Sequence, residues 1–202
     1  ETITITLLTG EMTVTQELLD ADNTLVESTL GTGTSLKDTT TGLLIQTINY
    51  TAPGANGEVL TEVRAWNDDT GKEETTFKTD GVTTKVLKEQ NDANGNNVVQ
   101  EELYSATGAV TKTTEKVVAV NGKVQETVIA DGKVTMTESG VDGAGKEFST
   151  VLGEGTQTLV DGVLVKEIKL NDDSVFTEKF DTNGKLIETV IADKSGDAKT
   201  VA

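Results

Sequence analysis

Cysteine and histidine are both absent from this chain of 202 residues, and their absence excludes several classes of functional site. Without cysteine there is no disulfide, thiolate zinc site, iron–sulfur cluster or thiol nucleophile. Without histidine the chain lacks the commonest general base and the commonest metal ligand, so a conventional Ser-His-Asp triad is excluded. We therefore expect a protein that is not an enzyme and that carries no organic cofactor.

Aromatic and basic residues are scarce. Phe, Tyr and Trp make up 3% of the chain, and because large aromatics supply much of the buried area of a compact core, we expect a thin or extended protein. Lys and Arg number 17 against 34 Asp and Glu, which gives a net charge of −17. An acidic surface repels nucleic acids and anionic membranes, so we expect neither nucleic-acid binding nor membrane insertion.

Strand-forming residues are abundant. Threonine occurs 36 times, and as a β-branched residue it favours pleated strands over helices. Residues 2–8 (Thr-Ile-Thr-Ile-Thr-Leu-Leu) alternate between polar and apolar side chains at the start, as a half-buried strand does. No long segment has the apolar spacing of an amphipathic helix. The sequence predicts an all-β protein.

Turn sequences recur mostly every 9–13 residues or so along the chain. Asn-Gly and Asp-Gly pairs between alternating segments indicate two-residue hairpins, because both central positions of a type I′ turn need positive φ. Seventeen turn signals predict roughly eighteen strands joined locally. The signals are Thr9-Gly10, Asp20–Asn23, Gly31–Gly33, Thr41-Gly42, Pro53–Gly57, Asp68–Gly71, Asp80-Gly81, Asn94-Gly95, Thr107-Gly108, Asn121-Gly122, Asp131-Gly132, Asp142-Gly143, Gly153–Gly155, Asp161-Gly162, Asn171–Asp173, Asn183-Gly184 and Ser195-Gly196.

These strands predict one elongated antiparallel β-meander over residues 1–202, built of many short hairpins. The sheet is either a single layer or is coiled into a flattened ribbon or barrel. The alternative is a pair of tandem β-sandwiches of about 100 residues each. Sandwiches usually bury a Trp or several aromatics per domain, and Trp66 is the only Trp here, so we favour the meander.

Two segments of the chain are close copies of each other. Asn121–Asp131 and Asn183–Asp193 match at nine of eleven positions, and a looser copy begins at Asn56. Self-similarity at a fixed spacing is typical of repeat architectures. It predicts duplicated units at about 56–120, 121–182 and 183–202, the last one partial.

Three segments resemble a known family. Gly10–Val14, Thr76–Gly81 and Thr177–Lys185 with the strand after it are similar to the outer surface protein A type of spirochaete lipoprotein. The resemblance implies a hairpin-repeat sheet partly exposed to water on both faces, at a bacterial cell surface. That family is Lys-rich and is attached through a lipidated N-terminal Cys, whereas this chain is acidic and has no Cys. The resemblance therefore implies no ligand.

Calcium is the one metal that the composition suggests, because it takes several oxygen ligands from carboxylates and loop carbonyls. Asp92–Asn97 starts like an EF-hand loop, but Asn97 stands where glycine belongs and Leu103 stands where glutamate belongs. Asn and Asp are also the residues that tight turns require. The candidate weak calcium ligands are Asp20, Asp22, Asp68, Asp69, Asp92, Asn94, Asp172 and Asp173.

A meander has two edge strands whose free N–H and C=O groups can pair with another chain. The N-terminal strand contains no charge and no proline, which makes it a good donor for strand addition. The predicted assembly edge consists of Thr2, Ile3, Thr4, Ile5, Thr6, Leu7 and Leu8.

The edge, the thin core and the acidic surface together predict a function. We expect a non-enzymatic extracellular structural protein, processed by signal-peptide removal, which self-associates into a homopolymeric surface fibre, sheath or layer. The alternative is a monomeric cell-surface adhesin that binds a host protein, a matrix component or a glycan.

Overall fold

The computed structural model describes residues 2–8, 10–19, 21–54, 56–67 and 70–201. These residues form strands, turns and connecting loops, and no helix occurs among them. The contacts divide the chain into two units. The first unit comprises Glu1–Asn91 with Glu101–Val110, and the second comprises Asp92–Gln100 with Thr111–Ala202.

The strands are short and follow one another closely. Those up to residue 104 are β1 (Thr2–Leu8), β2 (Glu11–Leu19), β3 (Leu25–Lys37), β4 (Leu44–Tyr50), β5 (Leu60–Asn67), β6 (Lys72–Thr79), β7 (Val82–Asn91) and β8 (Asn97–Tyr104). Those after it are β9 (Val110–Val118), β10 (Val124–Ala130), β11 (Lys133–Val141), β12 (Glu147–Val160), β13 (Val163–Leu170), β14 (Val175–Phe180), β15 (Leu186–Ala192) and β16 (Ala198–Thr200).

The order of the strands in the sheet is their order in the chain, from β1 to β16. Consecutive strands pair antiparallel, both from β1 to β7 in the first unit and from β9 to β16 in the second. Within the described residues no pairing joins β16 back to β1, so the sheet is open. The predicted all-β antiparallel meander is confirmed, and its chain-order pairing differs from the Greek-key order of an immunoglobulin-type sandwich.

Three of the four predicted Asp-Gly turns have the predicted conformation, whereas Asp142-Gly143 was wrongly predicted, because it lies in a five-residue loop whose left-handed residue is Gly145. Asp80 and Gly81 have φ values of 49° and 79°, so both central residues are left-handed, as a type I′ turn demands. Asp131 and Gly132 have φ values of 51° and 72°, and Asp161 and Gly162 have φ values of 50° and 82°, so both pairs have the same conformation. Each pair is a two-residue link between consecutive strands of a hairpin.

The Asn-Gly turns differ from the prediction. In the loop 92–96 the N–H of Asp92 donates to the carbonyl of Asn96 over 2.9 Å, and the N–H of Gly95 donates to the carbonyl of Asp92 over 3.1 Å. Gly95 has a φ of 79°, whereas Asn94 is not left-handed. The expectation of two left-handed residues was therefore wrong here, because a five-residue loop needs only its glycine in that region. The same loop recurs at 54–58, 105–109, 119–123, 142–146, 181–185 and 193–197.

Two of the predicted turns are not turns at all. Gly31–Gly33 lies within the 13-residue strand β3, and Gly153–Gly155 lies within the 14-residue strand β12. This correction accounts for the strand count, since seventeen turn signals less these two leave fifteen turns and sixteen strands. The glycines are needed for packing: a Cβ on Gly33 would overlap the carbonyl oxygen of Thr47 on the neighbouring strand.

The core of the first unit lies across these glycines. Met12 of β2 pairs in register with Gly33, and Gly33 pairs with Ile48 of β4. Because the middle strand has no side chain at that row, the side chains from both flanking strands can close over it. Met12 and Ile48 are buried and form a cluster with Val14, against which Leu30 and Tyr50 pack.

The second unit repeats this arrangement. Val134 of β11 pairs with Gly155 of β12, which pairs with Ile168 of β13. Val134 and Ile168 are buried, and Ile168 is 0% exposed. A Cβ on Gly153 would lie 2.9 Å from the Cγ2 atom of Ile168, so this glycine also makes room for the isoleucine. The small core of each unit is therefore concentrated over one Gly-x-Gly strand.

The similar sequence segments occupy equivalent positions in hairpins. Those starting at Asn121 and Asn183 cover a loop and the strand that follows it, β10 or β15, and the looser copy at Asn56 precedes β5 in the same way. They lie five strands apart. The division into duplicated units at about 56–120, 121–182 and 183–202 stays a prediction.

Candidate assembly edge

Strand β1 is the first strand in the order of the sheet. It pairs with β2 along its whole length, from Thr2 opposite Glu17 to Leu8 opposite Glu11. No strand of the described residues pairs with its other side. The seven residues predicted as the assembly edge therefore form the first strand of the described sheet, and strand addition to their outward N–H and C=O groups stays a prediction.

The edge is attached to the best-packed part of the first unit. Leu7 pairs in register with Met12, and Ile5 pairs with Val14. Met12 and Val14 are the β2 residues of the core cluster around Ile48. A partner that pairs with β1 would thus be one strand away from a packed core.

The opposite edge is different in character. β16 spans only the three residues Ala198–Thr200, and pairs with Val190–Ala192 of β15. All three residues are exposed, and Lys199 places a positive charge in the strand. Short edges and edge lysines are devices that weaken strand addition. Of the two edges, β1 is the more suitable for pairing with another chain.

The structure places the calcium candidates in separate loops. Asp22 is exposed in the turn between β2 and β3, Asp92 and Asn94 lie between β7 and β8, and Asp172 lies with Asp173 between β13 and β14. Asp20, Asp68 and Asp69 lie outside the described residues. In the part of the chain that the structure describes, no three acidic side chains come together as a cation site. Calcium binding stays a prediction.

Asp92 has a structural role in its loop. Its Oδ1 atom accepts hydrogen bonds from the N–H groups of Asn94 and Asn96, over 2.8 and 2.9 Å, and its Oδ2 atom accepts one from the Asn96 side chain. The Asn96 side-chain hydrogen bond is the largest of the effects that lower the pKa of Asp92 below 3.8. Asp142, Asp181 and Asp193 accept the same pair of backbone hydrogen bonds in their loops.

Asp172 and Asp173 also have partners within the chain. The Oδ1 atom of Asp172 accepts hydrogen bonds from the backbone N–H and the hydroxyl of Ser174, over 3.0 and 2.5 Å, and these bonds lower its pKa. Asp173 forms an ion pair with Lys169 at 2.9 Å. The two carboxylates thus face different partners.

A buried polar cluster in the first unit was missed by sequence reasoning. Glu62 of β5 is 4% exposed, and it accepts hydrogen bonds from the hydroxyl of Tyr50 and from the Nε atom of Arg64. Burial, together with the hydrogen bond to Glu62, raises the pKa of Tyr50 to about 12. Leu60, Glu62 and Arg64 lie on one face of β5, and because this face combines an apolar residue with two charged ones, the sequence did not show whether it is buried. No sequence signal therefore identified the polar cluster.

Adjacent glutamates point apart, as expected for a strand. Glu101 and Glu102 of β8 approach Lys85 and Lys88 of β7, at 4.0 and 3.5 Å. The two lysines pair with Phe77 and Glu74 of β6, which are three residues apart and so lie on opposite faces. The two carboxylates do not converge on one substrate position.

No helix among the described residues is long and apolar enough to span a bilayer. Compared with known proteins, the chain matches no family model and no curated sequence. What is established is therefore its fold, an open antiparallel meander of hairpins.

Proposed function

We propose that this chain is a non-catalytic structural subunit that assembles with further copies through its sheet edges. The observation that carries the proposal is strand β1, an uncharged, proline-free edge of seven residues backed by the packed core of the first unit. Soluble monomers usually block such an edge with lysine, proline or a bulge. Its seven residues match a typical strand in length, and the three residues of β16 in another copy can pair with part of it.

The two edges suggest the symmetry of the assembly. If β1 of one copy pairs with β16 of the next, the contact is head-to-tail, and such contacts build open filaments when they do not close into a ring. If β1 pairs with β1 of a second copy, the contact is two-fold and stops at a dimer. The proposal of a fibre, sheath or layer needs the first arrangement.

The proposed setting is the outside of a bacterial cell. The support is the hairpin-repeat sheet, which this chain has in common with the spirochaete surface lipoproteins that Gly10–Val14, Thr76–Gly81 and Thr177–Lys185 resemble. A net charge of −17 keeps separate assemblies from aggregating nonspecifically.

The test adds charge to the edge. Thr4→Lys combined with Thr6→Lys places two lysines in β1, and Thr158→Lys is the matched control, because Thr158 is an exposed residue of the inner strand β12. By electron microscopy and light scattering, we expect filaments or layers from the unchanged protein and from the control, and monomers from the β1 variant. Assembly that is unaffected by the two lysines contradicts the proposal.

The second candidate function is a monomeric adhesin. The observation that favours it is a small, mostly apolar cavity of about 240 Å³ in the first unit, whose lining includes Tyr50, Leu60 and Phe77. Unchanged protein that stays monodisperse and monomeric at high concentration, and that retains a host protein or a glycan in a pull-down, favours this candidate over assembly.

A further inference from the structure

Strand β3 of the β2–β3 hairpin extends beyond its neighbour β4, because pairing of β4 to β3 stops at Gly31. The end of this hairpin, Glu17–Leu19 of β2 paired with Leu25–Thr29 of β3, we call the acidic arm. Its turn contains Asn23 in the left-handed region, with a φ of 56°.

The arm has an open backbone edge on β3. Leu25–Thr29 pair with β2 on one side, and no strand of the described residues pairs with them on the other. The boundary is set by Thr51, whose N–H donates to the carbonyl of Leu30 over 2.9 Å, and whose hydroxyl donates to the carbonyl of Thr29 over 2.8 Å. Leu25–Thr29 therefore form a short internal strand edge, distinct from β1, and the Thr29 carbonyl at its end already accepts the Thr51 hydroxyl.

The side chains next to this edge are apolar at the tip. Leu19 and Leu25 pair across the arm and are 63% and 60% exposed. Leu18 and Val26 pair on the other face and are 43% and 47% exposed. Each face of the arm thus has one exposed apolar pair at its tip, against which an added strand can place apolar side chains of its own.

The next pair along the arm has two like charges. Glu17 and Glu27 are directly opposite each other, an arrangement that destabilises an antiparallel pair. The sequence has no Lys or Arg before Lys37, and no ion pair to either glutamate occurs among the described residues. A cationic side chain next to Glu27 would relieve this repulsion.

A second copy of the chain is a poor occupant of this edge. Arm-to-arm pairing would bring four glutamates together. Of the other edge strands, β1 has no basic residue, and β16 offers Lys199 in a strand of only three residues. The charge complementarity that the arm requires therefore comes from a different protein.

We propose that the acidic arm binds an extended, basic segment of a partner protein, which adds antiparallel to Leu25–Thr29. Directly opposite residues in antiparallel strands share a face, so the partner places apolar side chains against Leu25 and Val26, and a lysine or arginine against Glu27. From its N-terminus to its C-terminus, the partner segment therefore has two polar residues, one cationic residue and two apolar residues. The inference goes beyond edge-to-edge assembly, because it uses a different strand and a different kind of chain.

The test uses a short probe peptide. A capped Thr-Thr-Lys-Val-Val peptide is titrated into the full chain and followed by amide chemical shifts. The controls are Thr-Thr-Glu-Val-Val, which reverses the charge, and Thr-Thr-Lys-Gly-Gly, which removes the apolar side chains. We expect shifts concentrated at residues 25–29 with the first peptide, and at least tenfold weaker binding of both control peptides.

Variants of the chain separate the arm from the general acidic surface. We expect Leu25→Ser with Glu27→Lys to weaken binding of the Lys-Val-Val peptide at least tenfold, and Glu27→Gln to weaken it less. Glu147→Lys with Val151→Ser is the matched control, since these exposed residues stand at the corresponding part of the β11–β12 hairpin, and we expect less than a twofold change.

Three results would overturn the proposal. The first is shifts spread over the acidic surface instead of residues 25–29, which indicates nonspecific attraction. The second is equal binding by the Lys-Gly-Gly peptide or by the arm variant. The third is protection of amides 25–29 that rises with protein concentration in the absence of peptide, which identifies a second copy as the occupant.

Discussion

Strands β2–β4 of the first unit and β11–β13 of the second share one backbone arrangement. In each set the middle strand carries Gly-x-Gly, an isoleucine of the third strand pairs with its second glycine, and a change of register precedes the glycines. The isoleucines are Ile48 and Ile168, both almost completely buried. The residues around them differ, so the glycines and the isoleucine are what the two packed regions have in common.

The charged residues next to these cores are arranged differently. In the first unit Glu62 and Arg64 lie on one strand, and Glu62 is directly opposite Ile48. In the second unit Lys166 is buried on the strand of Ile168 itself, and pairs across to Glu178. The comparison teaches that a thin sheet tolerates buried charge in either place, provided that each charge has a partner of opposite sign.

The ends of the two hairpins differ in charge as well. In the second unit Lys123 pairs with Glu138 at 3.1 Å and lies 5.8 Å from the ring of Phe148. The acidic arm of the first unit has no comparable lysine. The same hairpin is thus neutralised within the second unit, whereas in the first it carries two opposed glutamates.

The largest expected effect tests what the two regions share. Gly33→Ala and Gly155→Ala each place a Cβ on a neighbouring carbonyl oxygen, that of Thr47 or of Glu167, which a flexible side chain cannot relieve. We expect each to lower the free energy of unfolding in urea by about 3 kcal/mol or more. Gly143→Ala is the control, because its Cβ would meet nothing within 4 Å, and we expect a change below about 0.5 kcal/mol. If all three variants lower the free energy of unfolding by the same small amount, the two strand glycines are not what the packed regions depend on.

The next prediction tests where the two regions differ. Glu178→Ala leaves Lys166 buried without its carboxylate, and we expect a loss of about 3 kcal/mol in urea unfolding. Replacing both residues, by Lys166→Met with Glu178→Leu, should recover most of that loss. Glu188→Ala is the control, since its ion pair with Lys179 is more exposed than the pair of Lys166 and Glu178 and is worth about 1 kcal/mol at most. If the double variant is no more stable than Glu178→Ala, the buried pair is not the cause.

The smallest effect concerns the five-residue loops, which both units use. The pKa of Asp92 is lowered below 3.8, so the loop is stabilised by the ionised carboxylate at neutral pH, and this stabilisation is lost as the pH falls through the folded-state pKa. The loop 105–109 begins with Ser105 and should show no such dependence. Carboxyl-carbon titration by NMR and exchange of the Asn96 amide measure the difference. An Asp92 midpoint at or above 3.8 contradicts this prediction.

The strand pattern could be read from the sequence because most of it is local. Asp-Gly turns, alternation and threonine content each act over a few residues, and they predicted an all-β meander. Gly31–Gly33 was misread as a turn, because turn glycines and packing glycines look alike until the strand beside them is known. The burial of Glu62 and the open edge of the acidic arm depend on which strands end where, and that is set by pairing between residues distant in sequence.

The most direct test of the proposed assembly is hydrogen exchange of residues 2–8 at increasing protein concentration. If β1 pairs with another copy, its outward amides gain protection as concentration rises, while the amides of the inner strand β10 stay unchanged. Exchange of β1 that is the same at the lowest and the highest concentration contradicts the assembly account.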